Sequence, residues 1–122
     1  MTLEEMDLHV PLNRQLGDVH MGPVVLVNKF TVTPEDSAAL ISSWAADAAY
    51  MKQQPGFITT QLHRGIAGSC VFLNYAVWES LDAFRTAFAQ PEFRSRLAHY
   101  PASVVASPHL FEKVAVPGIC VA

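Results

Sequence analysis

The run VVLVNKFTV, Val24 to Val32, leads without a spacer into Thr33-Pro34-Glu35-Asp36, and this junction constrains the fold more than any other segment. Apolar β-branched residues favour an extended strand, whereas a threonine, a first-turn proline and two acids suit the unpaired amides and positive dipole of a helix start. A strand must pass directly into a helix. Leu40, Ile41, Trp44, Ala48 and Met51 then recur at three- and four-residue steps, a helical stripe that stops at Gln54 before Pro55-Gly56. Phe57 to Arg64 and Cys70 to Trp78 read as two strands joined by the hairpin-length segment Gly65-Ile66-Ala67-Gly68-Ser69. Ser80 and Asp82 open a second helix carrying Leu81, Phe84 and Phe88; Pro91 interrupts it before Phe93, Leu97 and Tyr100 resume the spacing. After a loop, His109 to Val116 reads as the last strand, ended by Pro117-Gly118.

The order βαββαβ, with right-handed crossovers, predicts a ferredoxin-like α+β domain: an antiparallel four-stranded sheet, the first and third of these strands central, both helices on one face. At 122 residues the chain supports one domain with a core that needs neither disulfide nor metal. The other sheet face is left bare. With 51% hydrophobic and only 16% charged residues, the economical cover is a second copy, giving a homodimeric α+β barrel. Met1 to Pro23, broken by Pro11, Gly17, Gly22 and Pro23, reads as an N-terminal arm preceding the domain at residues 24–122. Its Leu8, Val10 and Leu12 alternation predicts ordering against the domain or its partner.

A net charge of -3 without a basic run disfavours nucleic acid or an anionic membrane as partner. Glu4, Glu5 and Asp7 stand where a signal peptide needs positive charge, so a cytoplasmic protein is expected. Cys70 and Cys120 are far apart and carry no metal or redox spacing, and the five histidines show no HExxH-type pattern. No metal or other cofactor is expected.

Strand alternation puts Val24, Leu26, Asn28, Phe30 and Val32 on one face, and Cys70, Phe72, Asn74, Ala76 and Trp78 on one face of the third strand. Each apolar row holds one asparagine. A buried amide without partners costs roughly 1–3 kcal/mol, so each either satisfies a backbone group or addresses a ligand. Asn74 and Trp78 lie roughly 13 Å apart along their strand, about the length of a flat three-ring molecule.

The segments LVNKFTV, PGFITTQLHR and LNYAVWESLDAFRTAF, in this order and spacing, resemble the antibiotic biosynthesis monooxygenase superfamily of dimeric α+β barrels. Within it the chain is most similar to the cofactor-free anthrone oxygenases of aromatic polyketide pathways. The resemblance implies a cofactor-independent monooxygenase that oxidises an anthrone- or quinol-type substrate with O2. It implies Asn28, Asn74 and Trp78 as the substrate-polarising, catalytic residues. A tyrosine of some members falls at Phe84, so no phenol acts there. The expected pocket lies between the helices and the Asn74 face, bounded by Trp44, Met51, Phe72, Phe84 and Phe88, with His63 at its edge.

An anthrone methylene conjugated to a carbonyl can lose a proton to give a delocalised enolate that reduces oxygen itself, so a dry pocket, oxyanion donors and a proton acceptor suffice. The acceptor stays open among His63, His99 and a bound water. Two other function classes compete. Haem-degrading members share an asparagine at the Asn28 position, but their tryptophan and histidine positions fall at about Ala87 and Leu97, with His99 on another side of the helix. A non-catalytic dimer that binds a small molecule is also compatible, since fold alone assigns no function.

Overall fold

The structure, a computed structural model, describes residues 1–122. In chain order its elements are β1 Thr2–Leu3, α1 Leu12–Leu16, β2 Val24–Thr31, α2 Ser37–Met51, β3 Phe57–Arg64, β4 Val71–Trp78, α3 Leu81–Phe88, α4 Pro91–Arg96 and β5 Val105–Phe111. β2 and β4 pair antiparallel from Val24 opposite Trp78 to Thr31 opposite Val71. β3 flanks β4 and β5 flanks β2, so the expected central pair is the observed one.

The sheet has five strands rather than four, and it is mixed. β1, at the start of the expected arm, lies parallel to β5: the Thr2 amide donates to the Val104 carbonyl and the Glu4 amide to Ala106, both at 2.8 Å. Two residues carry no readable alternation, but the free edge of β5 offers them acceptors. The rest of residues 1–23 packs on the domain only in part: of the expected alternation Leu12 is buried but Leu8 is 85% exposed, and Val19 and Met21 are exposed as well. The Gln15 side chain accepts from the Leu110 amide at 2.8 Å, and Arg85 donates to the Leu16 and Asp18 carbonyls.

The last strand is Val105–Phe111, not His109 to Val116. Pro108 reads as a loop residue, yet it sits inside the strand opposite Asn28. The Val104 and Ala106 carbonyls point toward β1, so by alternation the Pro108 nitrogen points the same way, beyond where β1 ends. Its missing N–H therefore breaks no ladder bond with β2. Residues 112–122 are exposed, with a tight turn closed by Val116 and Cys120.

Ser80 caps α3 as expected, its hydroxyl accepting from the Ala83 amide at 3.0 Å. Thr33 makes no such cap; Pro34–Asp36 instead forms a single 3-10 turn before α2. Gly56, with φ near +85°, is irreplaceable for a second reason: a Cβ there would stand 2.4 Å from that of Ala83. This close approach seats α3 against the start of β3.

The helices cover one sheet face and create two core clusters. Phe30, Val32, Leu40, Phe72, Tyr100, Val104 and Ala106 form one. Val24, Ala76, Trp78, Leu81, Phe84 and Ala87 form the other. On β2 the clusters are separated at Asn28, and on β4 at Asn74.

Candidate active site

Because Asn28 and Asn74 are direct cross-strand partners, the two asparagines form one polar step across the middle of the sheet. A cavity of about 100 Å³ lies over this step, between sheet and helices. Its sheet wall includes Leu26, Asn28, Phe30, Thr60, Asn74, Ala76 and Trp78; its helix wall includes Trp44, Asp47, Met51, Phe84, Phe88 and Tyr100. Met1 and Leu3 also line it, so the N-terminal strand contributes to the cavity.

Asn74 has a defined amide orientation. Thr60 Oγ1 donates to Asn74 Oδ1 at 2.6 Å, which occupies the oxygen and leaves the NH2 group as the free donor. The Asn28 side-chain oxygen is buried without any hydrogen-bond partner. An orphan acceptor in an apolar wall costs free energy that a guest carrying a hydroxyl would recover. Trp78 is held edge-on between Phe57 and Phe84, with ring centroids 5.4 and 5.5 Å away. Its position opposite Val24 puts it at one end of the cavity wall, with the asparagine step in the middle.

Trp44, Met51, Phe84 and Phe88 are on the wall as the sequence suggests, but Phe72 and His63 are not. Phe72, 1% exposed, packs into the first core cluster beneath the Arg64 guanidinium, 5.0 Å from its ring centroid. His63 is exposed, its Nδ1 3.3 Å from the Leu73 carbonyl oxygen. The cause is a β-bulge between Phe57 and Thr59. One extra residue reverses the alternation after Phe57, turning Thr60 and Leu62 inward while Thr59, Gln61 and His63 face out. His99 is exposed as well.

The bulge also explains why Thr60 escapes a reading by strict alternation. Asp47 left a signal: it stands three residues after Trp44 and four before Met51, within the apolar stripe of α2. Ile41 instead is 40% exposed, and the buried stripe runs through Leu40 and Asp47. Burial holds the Asp47 carboxyl above its ordinary range; the Tyr100 hydroxyl, then Arg96 and His99, pull it back in part. Burial first, then the nearby Asp47 carboxylate, raises Tyr100, which stays a neutral phenol. Elsewhere in the fold, no three His, Cys, Asp or Glu side chains converge as a metal-binding group would require.

The family model described as antibiotic biosynthesis monooxygenase matches residues 23–97, more than half of the chain. Deoxynogalonate monooxygenase of Streptomyces nogalater is 43% identical over 70 residues, which span 57% of this chain and 58% of that protein. SnoaB, a cofactor-independent oxygenase from the same organism, superposes with a TM-score of 0.68 at 32% identity, over 80% of this chain and 98% of that one. A protein from Caulobacter crescentus CB15 shares the fold at 20% identity, with a TM-score of 0.70 over 78% of this chain and 92% of its own.

Proposed function

The chain belongs to the antibiotic biosynthesis monooxygenase family, and on that premise we propose that it is a cofactor-independent monooxygenase of an anthrone- or quinol-type polycyclic hydroxyaromatic. The observation that carries this reading is the Asn28–Asn74 step in an otherwise apolar cavity wall. Asn74 offers a preorganised N–H donor to a developing oxyanion, and the unpartnered Asn28 oxygen accepts from a neighbouring hydroxyl of the same substrate. The Trp78 indole adds a second donor-bearing surface for a flat ring system. The named activity of the Streptomyces nogalater relatives supports the same class of chemistry.

In this mechanism the substrate supplies the electrons. Loss of a methylene proton gives an enolate whose negative oxygen is held by the Asn74 amide. The delocalised carbanion passes one electron to O2, the resulting radical pair recombines to a peroxide, and loss of water leaves the quinone. A cavity near 100 Å³ is below the several hundred Å³ usual for whole-ligand sites. A tricyclic guest therefore requires wall side chains to change rotamer, and Met51, unbranched and polarisable, is suited to yield.

The second part of the proposal is a homodimer. The sheet face away from the helices carries Val71 and Tyr75 at 41% and 40% exposure and Phe111 at 43%, beside Val27, Leu73 and Val77, an apolar strip that a second sheet would cover. Light scattering at micromolar concentration is expected to give twice the chain mass; a stable monomer overturns this part. Purified protein is expected to convert anthrone to anthraquinone with O2 and without added flavin, nicotinamide or iron, and to stop under nitrogen. A rate no greater than the spontaneous one overturns the oxygenase reading.

A further inference from the structure

The proposed reaction needs a proton acceptor, and neither His63 nor His99 reaches the cavity. One titratable carboxyl does. Asp47 projects from α2 into the helix side of the cavity, opposite the sheet wall that carries Asn28 and Asn74. It is 6% exposed, and its Oδ1 is buried with no hydrogen-bond partner at all. A carboxylate oxygen left bare in an apolar wall is an uncommon expense for a fold, because a buried charge is normally paired or neutralised. Arg96, whose charge acts on Asp47, does not pair with this oxygen: it donates to Glu92 at 3.0 Å and lies 5.3 Å over the Tyr50 ring centroid, and its own buried Nε has no partner either.

We propose that Asp47 is the general base of this site, its unpartnered Oδ1 taking the proton from the acidic carbon of the substrate while the Asn74 amide holds the oxygen on which charge develops. This rests on the oxygenase reading and supplies the step it leaves open. The substrate C–H bond breaks, an O–H bond forms on Asp47, and the bonding electron pair passes through the conjugated ring to the carbonyl oxygen. The step needs no oxidant. Base and oxyanion donor stand on opposite walls of the cavity, the arrangement required when the acidic carbon and the carbonyl are at opposite edges of the central ring of a flat molecule.

The surroundings tune the group. Burial in the wall strengthens the carboxylate as a base by raising its proton affinity, whereas Tyr100, Arg96 and His99, in α4 and the turn after it, keep it ionisable. The sheet side presents only the neutral Asn28, Asn74 and Thr60. Tyr100, whose own ionisation is pushed upward, acts as a positioning residue that stays protonated beside the carboxyl.

The test separates proton transfer from oxidation. Anthrone in deuterated buffer under nitrogen, with full-length protein, is expected to exchange its methylene protons faster than in buffer alone. Asp47→Asn, nearly isosteric, is expected to lower both this exchange and aerobic turnover by about 10²- to 10⁴-fold, with the fold retained by circular dichroism. Wild-type kcat/KM should rise with pH through an ionisation above the ordinary carboxylate range, and this limb should vanish in Asp47→Asn. Tyr100→Phe, which removes a lowering influence, should move the limb to higher pH and serves as the second probe if Asp47→Asn does not fold. Wild-type exchange that is lost in folded Asp47→Asn, without oxidation by either, would support Asp47 and overturn the oxygenase reading. Full exchange and turnover in folded Asp47→Asn, or an unmoved limb in Tyr100→Phe, would overturn the base and leave that reading intact. Neither exchange nor oxidation by wild type would overturn both.

Discussion

The two ends of the helix-covered sheet face and its middle are built from the same strands yet do opposite things. At the ends, Phe30 and Phe72 on one side and Val24, Ala76 and Trp78 on the other interlock with the helices into apolar clusters. In the middle, Asn28, Asn74, Thr60 and Asp47 surround a cavity and leave two oxygens unpaired. The ends contribute burial, roughly 1.5–3 kcal/mol for each large apolar side chain. The middle costs stability, and the ends must offset it. The difference teaches where to look for function in a small domain: at the gap between its cores, where satisfying every polar atom has been given up.

Phe72→Ala strikes the ends and should show the largest effect. A fully buried aromatic truncated to alanine loses about 3–5 kcal/mol, read as a shift in urea midpoint, while turnover per folded molecule stays near wild type. A large loss of turnover in the folded variant would return Phe72 to the cavity and blur the distinction. Asn74→Ala strikes the middle and should invert the pattern: turnover of anthrone falls on the order of 10²- to 10³-fold, as when one oxyanion donor is removed, with the urea midpoint little changed. If both variants lose stability alike, the asparagine belongs to the core.

Thr60→Val sharpens the comparison, because it keeps shape and removes only the hydroxyl that orients the Asn74 amide. Turnover should fall about tenfold, equivalent to about 1.4 kcal/mol, a typical net hydrogen bond. An unchanged rate would mean that the amide is oriented by the substrate rather than by Thr60. Removing Met1 to Glu4 should leave turnover least affected and cost about 1–2 kcal/mol of stability for two backbone hydrogen bonds, seen as a lower thermal midpoint. Any accompanying change in KM would tie β1 to the cavity it lines.

Stability against pH offers an independent view of the middle. The folded protein holds the Asp47 proton more tightly than the unfolded chain does. This carboxyl therefore favours folding below its ordinary value of 3.8, and the advantage is lost as pH rises through its raised folded value. Asp47→Asn, which carries no charge, is expected to be more stable than wild type at neutral pH.

Local signals were enough for the element order from β2 onward, though not for β1, α1 or the bounds of β5, because each signal is written within a few residues: the β-branched run before Thr33-Pro34, the stripe of α2, Pro55-Gly56, and the Ser80 cap. Alternation alone also set Asn28 in one apolar row and Asn74 with Trp78 in another, since a regular strand leaves no other choice; the pairing of β2 with β4 and the packing of the helices put both rows on the covered face. What required tertiary structure depended on pairing between distant segments. The bulge after Phe57 exists only against β4, and it exchanged His63 for Thr60 at the cavity. Pro108 is tolerated because the neighbouring edge is empty where its N–H is missing, and β1 is a strand only because β5 offers it carbonyls. Asp47 could be seen in its stripe, but its burial, and the oxygen it leaves without a partner, arise only when α2 lies down on the sheet.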